Sequence, residues 1–266
     1  MTGLIDIHCH ILPGVDDGPK EVEESIAMGR LYATVGFRAV VATPHCIPGT
    51  RWMPEISLIH ARARMVRAAL EAEGVALKIY TGMEIALDPL VPILLRQKRL
   101  LTLANGPYLL IESPFQQFPL GWEGLLADIR GLGYKVLLAH PERCAGLAQK
   151  PSLVDDIQAT GVYVQVNLDS LAGLNGRHAQ KAALLFVEKE CLHCLATDSH
   201  DSVRRCPAMV RRTAEAVAAV MSRDNLLLLM KTNPERVLLG QDLKAIDKKH
   251  TAMPVKTRRR KWFWFK

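Results

Sequence analysis

Apolar runs of four to six residues recur along the chain, and most of them stop at a histidine or an acid. Leu4, Ile5 and Ile7 alternate with Asp6, His8 and His10. That alternation predicts an opening strand with His8 and His10 on one face, close enough to grip one metal ion. A second run, Ala39 to Ala42, leads into Thr43-Pro44-His45; a third, from Leu77, ends at Glu84; a fourth, from Tyr108, ends at Glu112. The fifth, from Lys135, reaches His140, the sixth covers Val162–Asn167, and the seventh, Leu192–Thr197, runs into Asp198-Ser199-His200. Between them, helical periodicity covers 21–35, 54–73, 89–98, 121–131, 151–160 and 177–190, and then 207–221 and 223–231. A last short helix starts at Asn233-Pro234-Glu235, with proline at its first position.

Seven strand–helix alternations predict parallel βα units. The polar residues fall at or just past strand C-termini, the face on which barrels of this class build their sites. An open sheet would gather ligands at one switch point, so the expected fold is α/β, a distorted (β/α)7 barrel. Residues 1–242 are read as the barrel body and 243–266 as a tail.

Composition narrows the setting. Of 266 residues, 49% are hydrophobic and 23% charged, which suits a globular chain with a large core. No apolar run is long enough to span a bilayer, and the first residues lack the basic region of a signal peptide, so a cytoplasmic location is expected. The net charge of +7 belongs to one end. Residues 1–240 balance 25 Lys/Arg against 25 Asp/Glu, whereas 241–266 hold 9 against 2. The tail closes on Lys256-Thr-Arg-Arg-Arg-Lys followed by Trp262, Phe263, Trp264 and Phe265. Basic residues beside aromatics suit an anionic membrane surface, here the inner face of the membrane, although packing on the body or on another subunit fits equally. Nucleic acid is not an expected partner.

The candidate metal ligands are His8, His10, Asp17, His45, Glu84, Glu112, His140, Asp198 and His200, five of the nine histidines among them. Nine donors exceed what one six-coordinate ion can use, so two or three ions are expected. Imidazole and carboxylate without thiolate suit Mn, Fe or Zn better than Ca. Four carboxylates against three divalent ions and a hydroxide leave a charge of about +1, which attracts a phosphate dianion. Arg143, in a Pro-Glu-Arg turn, and Arg205, in the loop after His200, offer planar forks for phosphate oxygens, with Arg204 as competitor for the second place. The six cysteines show no disulfide framework: Cys191 and Cys194 are read as buried structural thiols, and Cys9, Cys46 and Cys144 as neighbours of site residues, sensitive to oxidation but not ligands. His60, His178 and His193 fall outside the set.

Collected in this order, the motifs resemble the PHP (polymerase and histidinol phosphatase) superfamily, and within it the bacterial manganese-dependent tyrosine-protein phosphatases of the CpsB/CapC/YwqE type. The resemblance runs from about Leu4 to Leu239. It rests on Asp6-Ile-His-Cys-His10 with Val15-Asp-Asp-Gly-Pro19, on Ala42-Thr-Pro-His45, Gly82-Met-Glu84 and Leu110-Ile-Glu112, and on Ala139-His-Pro-Glu-Arg143 and Thr197-Asp-Ser-His200. It implies a trinuclear site. His8, His10, Glu84 and Asp198 would hold one ion; Glu84, Glu112 and His140 a second; Asp17, His45 and His200 a third. Other members of the superfamily often carry histidine where this chain has Asp17 and Glu112, which favours the tyrosine phosphatase branch. The implied reaction is in-line attack of metal-activated hydroxide on phosphotyrosine, with no phosphocysteine. The implied partner is a membrane-associated bacterial tyrosine kinase of capsule or exopolysaccharide synthesis. A small-molecule phosphoesterase, such as a histidinol phosphatase, and a non-catalytic docking scaffold are the competing expectations.

Overall fold

A computed structural model of the chain describes residues 1–247; the basic aromatic end, 248–266, lies outside the described residues. The strands, in chain order, are β1 (Leu4–Cys9), β2 (Phe37–Ala42), β3 (His45–Cys46), β4 (Lys78–Thr81) and β5 (Glu84–Ala86), then β6 (Tyr108–Glu112), β7 (Lys135–Ala139), β8 (Tyr163–Asn167) and β9 (Cys194–Ala196). The principal helices are α1 (Val22–Thr34), α2 (Ile56–Ala72), α3 (Val91–Arg96), α4 (Trp122–Gly131), α5 (Ala145–Gln149) and α6 (Leu153–Ala159). After β8 come α7 (Leu168–Leu171), α8 (Arg177–Glu188), α9 (Met209–Ala218), α10 (Arg223–Leu227) and α11 (Asn233–Leu238).

All strand pairings are parallel. One sheet runs β1-β2-β4, the other β3-β5-β6-β7-β8-β9. The two are halves of one ring. Pro44 has no N–H to give to a ladder, and the second strand breaks there into β2 and β3. Its neighbour breaks at the same level, between β4 and β5, and the main chain stays paired across the gap through Gly82 N to Ala42 O (2.9 Å) and Glu84 N to Pro44 O (3.0 Å). On the other side Asp198 N donates to His8 O (3.0 Å) and His10 N to Ser199 O (2.9 Å), which ties β1 to the end of β9. Seven strand positions therefore close on themselves. The third expected strand is two short ones, and Glu84 and His45 open their segments instead of ending them.

Two hydrophobic clusters follow from this geometry. Ala39 and Val41 of β2, Leu110 of β6 and Leu137 of β7 share an inner cluster with Ile5 and Ile7, while the alternate residues Val40, Ala42, Ile111 and Leu138 join the outer one under the helices. Helices α1 and α2 each present a stripe at three- and four-residue spacing, Met28 and Tyr32 on one, Ile59, Ala63, Val66 and Leu70 on the other. They pack so closely that a side chain at Gly29 would run into Leu70.

A register shift in β1 sets the direction of the histidines. Asp6 pairs with Val40 and Cys9 with Ala42, three residues against two. Ile5 and Ile7 fill the interior below the shift; above it His8 and His10 turn inward and Cys9 turns out. Strict alternation would put Asp6 on the histidines' face. It lies on the other, where Tyr32 Oη of α1 donates to it at 2.8 Å and Thr197 donates through both its hydroxyl and its N–H.

The N-terminal end of the ring is plugged by Val237 and Leu243, which belong to the inner cluster. The chain stays packed beyond the expected boundary at 242. Leu243 and Ile246 are buried, and Asn233, fully enclosed, donates to the carbonyls of His193 and Lys244 (2.7 Å each) and accepts from Lys244 N (3.0 Å). Replacing Asn233 with Ala leaves these backbone groups unmet inside the plug. Urea unfolding of N233A should show a loss of about 2 kcal/mol or more.

Candidate metal centre

The nine candidate ligands come from seven separate segments. The structure brings all of them together at the C-terminal mouth of the ring. They form four groups: His10, Asp17, His45 and His200; His8, His10 and Asp198; His8, Glu84 and His140; His45, Glu84 and Glu112. Within each group the donor atoms lie within 4.8 Å of one another. Glu84 is the hub. Its carboxylate is 2.7 Å from His140 Nε2, 2.9 Å from His45 Nδ1 and 3.3 Å from both His8 Nε2 and His10 Nε2. Glu112 groups with His45 and Glu84, not with His140 as the resemblance implied.

Local backbone aims several of these side chains. His140 and Asp198, both just past strand ends, sit at positive φ of 34° and 52°, where a non-glycine residue is strained. Asp16 and Asp17 take different partners. Asp16 is buried and holds the turn together: Oδ2 lies 2.6 Å from His10 Nδ1 and accepts from His45 N (3.1 Å), and Oδ1 accepts from Gly18 N (2.9 Å). A side chain on Gly18 would collide with the His10 carbonyl. Asp17, half exposed, faces His200 Nε2 (3.2 Å) and His45 Nε2 (3.4 Å).

A chain of amides fixes the tautomer of His8. Asn167 Nδ2 donates to Asp198 Oδ2 (2.9 Å), Gln165 Nε2 donates to Asn167 Oδ1 (2.7 Å), and Gln165 Oε1 lies 2.9 Å from His8 Nδ1. The Asp198 carboxylate can only accept, so each amide has one orientation and His8 must carry its proton on Nδ1. Its Nε2 lone pair then faces the centre, 3.4 Å from His10 Nε2. His10 and His200 are held the same way, through Asp16 and through the Asp198 carbonyl (2.9 Å). Such partners behind a ligand orient it and raise its basicity. Asp16, Gln165 and Asn167 were not singled out as site residues from sequence. The only available signal was polar residues inside a buried strand and the doubled aspartate.

The donor set fits divalent cations. Among the described residues, Glu84 Oε2, His45 Nδ1 and His200 Nε2 are buried without a well-formed hydrogen bond, although His45 Nδ1 approaches Glu84 Oε2 to 2.9 Å and His200 Nε2 lies 3.2 Å from Asp17. Buried groups of this kind require a partner. Thiolate is absent from the set: the Cys9 thiol turns outward to the Val41 carbonyl, and burial pushes the Cys46 thiol up to about 12. All six cysteines are free and buried. Cys206 has an arginine six positions on, Arg212, the spacing of thiol phosphatases. The segment between them begins with Pro207 and enters α9, where Arg212 turns back to the Met209 sulfur (3.6 Å), so no phosphate loop forms.

Burial alone would raise Glu84 and Asp198, but the surrounding imidazoles, with Arg205 added at Asp198, outweigh it and hold both carboxyls well below their usual range. Glu112 is raised by burial and by the charge of Glu84. Burial would lower His45, yet Asp17 and Glu84 lift it to about 10, and Asp16 lifts His10 well above its ordinary value against the same penalty.

Both predicted arginines reach the centre. Asp198 Oδ1 faces His8 and His10 (3.5 Å each), while Oδ2 accepts from Arg143 Nη1 (3.0 Å) and Arg205 Nη2 (2.9 Å). Arg205, not Arg204, makes this contact. The two forks open on a cavity of about 140 Å³ shared with Asn167, Asp169 and Asn175.

The family model for capsular polysaccharide synthesis proteins, CpsB/CapC, matches residues 4–239. The chain is 35% identical over 198 residues to tyrosine-protein phosphatase YwqE of Bacillus subtilis, covering 74% of this chain and 78% of that one. It is 30% identical over 249 residues to tyrosine-protein phosphatase CpsB of Streptococcus pneumoniae, covering 90% and 99%. A crystal structure from work on YwqE of Bacillus subtilis and CpsB of Streptococcus pneumoniae, described as unique metal-dependent tyrosine phosphatases, superposes with a TM-score of 0.85 at 31% identity, covering 95% of this chain and all (100%) of that one.

Two measurements test the centre. Gln165→Leu breaks the amide chain and frees the His8 tautomer; calorimetric titration with Mn²⁺ should show affinity lower by about 10- to 100-fold, with the fold intact by circular dichroism. Against the penalty of burial, neighbouring carboxylates raise the pKa of His8, His10 and His45, so a cation competes with protons for these imidazoles. Mn²⁺ binding should release protons, read from the buffer dependence of the binding enthalpy, and affinity should fall as pH falls.

Proposed function

This chain belongs to the CpsB/CapC family, and from that premise we propose that it is a metal-dependent protein-tyrosine phosphatase. The observation that carries the reading is the position of Asp198, with a cation-type donor cluster against one oxygen and two arginine forks against the other. On the family pattern His8, His10, Glu84 and Asp198 would hold one ion, Glu84 with Glu112 and His140 a second, and Asp17, His45 and His200 a third; the geometry supports Glu84 as the shared ligand and sets Glu112 beside it on the His45 side. Manganese is the ion proposed, with iron or zinc compatible with the same nitrogen and oxygen donors. Bound divalent ions supply water acidified into the neutral range and positive charge beside the phosphoryl group.

The chain's own residues do the rest. Arg143 and Arg205 each present several N–H donors in a fixed plane, so each can keep its contact with Asp198 and still bind a phosphoryl oxygen. The negative charge that spreads over those oxygens as the ester bond breaks is met by donors already oriented. Arg143, partly buried, and Arg205, more exposed, lie at the rim, where a protein-borne phosphotyrosine can enter. No helix among the described residues is long and apolar enough to cross a membrane. The proposed substrate is the phosphorylated tail of a membrane-associated bacterial tyrosine kinase in capsule or exopolysaccharide synthesis, met at the cytoplasmic membrane face.

The experiment is a comparison of turnover after chelation and re-addition of Mn²⁺. A phosphotyrosine peptide should exceed histidinol phosphate in kcat/KM by at least about tenfold, a difference of about 1.4 kcal/mol in transition-state binding. Equal or better turnover of histidinol phosphate overturns the reading in favour of a small-molecule phosphoesterase. Arg143→Lys replaces the planar fork with a point charge and should lower kcat/KM for the peptide by about 10- to 100-fold.

A further inference from the structure

Beside Asp17, His45 and Glu112 the mouth widens into an apolar cleft of about 370 Å³. Asp17, His45 and Glu112 form its inner wall, so it opens directly on the cluster. Its other walls are largely apolar, with Ile47, Trp52, Leu87, Pro114 and Phe115 among them. Neither aromatic is a core residue of the fold. Trp52 stands edge-on to His45, ring centroids 6.1 Å apart at 90°, with the Arg51 guanidinium 5.7 Å from its centroid. Phe115 lies nearly parallel to His140, 5.9 Å away at 12°, with the Arg143 guanidinium 4.8 Å above it, yet 47% of its surface remains exposed. Two aromatic side chains are thus fixed by contacts to the centre while their free surfaces line an open apolar slot.

We infer that this cleft receives the aryl ring of the substrate, and that Trp52 and Phe115 determine selection of aryl over alkyl phosphate monoesters. The inference rests on the phosphatase reading and adds to it the residues that read the leaving group. The geometry separates two ends of one ligand. Asp198 and the arginines take the phosphoryl oxygens at one side of the cluster, and the Asp17, His45 and Glu112 side adjoins the slot. A phosphoserine presents only a methylene there and gains nothing from the rings. A phenyl group gains offset or edge-to-face contact with both and removes apolar surface from water.

Binding of phenylphosphonate and methylphosphonate to the Mn²⁺-loaded full chain, measured by calorimetry, tests this without turnover. The wild type should bind the phenyl ligand at least about tenfold more tightly. Trp52→Ala and Phe115→Ala should each shrink that preference to within about threefold, the loss falling on the phenyl ligand more than on methylphosphonate, and Trp52→Phe should retain it. Equal affinity for both ligands in the wild type overturns the inference. So does a preference that survives in both alanine variants, or a loss that falls equally on both ligands, as general disruption of the mouth would produce. The two readings fail differently: preferential phenylphosphonate binding without hydrolysis of a phosphotyrosine peptide sinks the phosphatase reading and leaves the slot, whereas efficient peptide hydrolysis with unaltered preference in the variants sinks the slot alone.

Discussion

Glu84 is a carboxylate with no solvent exposure, and four imidazoles close around it. A buried charge is tolerated only when it is paired and its oxygens are engaged. That requirement reaches through the whole fold. The second and third strand positions break together, so that His45 and Glu84 emerge side by side in register, paired residues of β3 and β5. The shift in β1 rotates His8 and His10 into the same space. His140 and Asp198 accept strained backbone to point there. A regular seven-stranded ring would have continued its ladders past this level, and its interior would have stayed apolar to the rim. The irregularities of the barrel are located where the cluster needs them.

The protons in this cluster are as constrained as the atoms. Imidazole, amide and carboxylate offer different numbers of donors and acceptors, so a network ending in a pure acceptor has a direction. Asp198 ends one such chain and Asp16 another. Both turn the other ring nitrogen inward, where it can offer a lone pair to a cation. The cost falls on the protein without cations, where carboxylates and lone pairs face one another at the mouth and some imidazoles gain protons instead, as the raised His10 and His45 show. Stability and cation binding are therefore linked through the same residues.

Much of this was legible in the sequence, and the reason is covalent. Strands with period-two alternation and helices with three- and four-residue spacing announce themselves locally, and ligands at strand ends announce the face they share. Tyr108–Glu112 matches the expected fourth strand, and α1, α2 and α4 fall within two residues of their expected ends. What escaped was set by contacts between distant segments. The break at Gly82-Met83 answers the one at Pro44, which no window around residue 82 contains. Asp6 looked like a third member of the His8 and His10 face because the register shift depends on β2. Gln165 and Asn167 sit in an ordinary polar-apolar alternation, and only their bonds to His8 and Asp198 give them a role. The motif residues of the centre were visible because imidazoles and acids at strand ends are unusual; the amides and aromatics around them are common everywhere.

Asp198 also couples the two halves of the site. Its Oδ1 lies among imidazoles and its Oδ2 holds two guanidinium groups and an amide. A carboxylate shares its negative charge between its oxygens, so positive charge on the imidazole side weakens the hold on the arginine side. With that side neutral, the arginines are neutralised by the protein's own acid and attract phosphate poorly. With it positive, their remaining donors face a less negative partner and become available to an anion. Loading of the cluster and affinity for phosphate should thus rise together, through a single buried side chain and with no movement of the barrel.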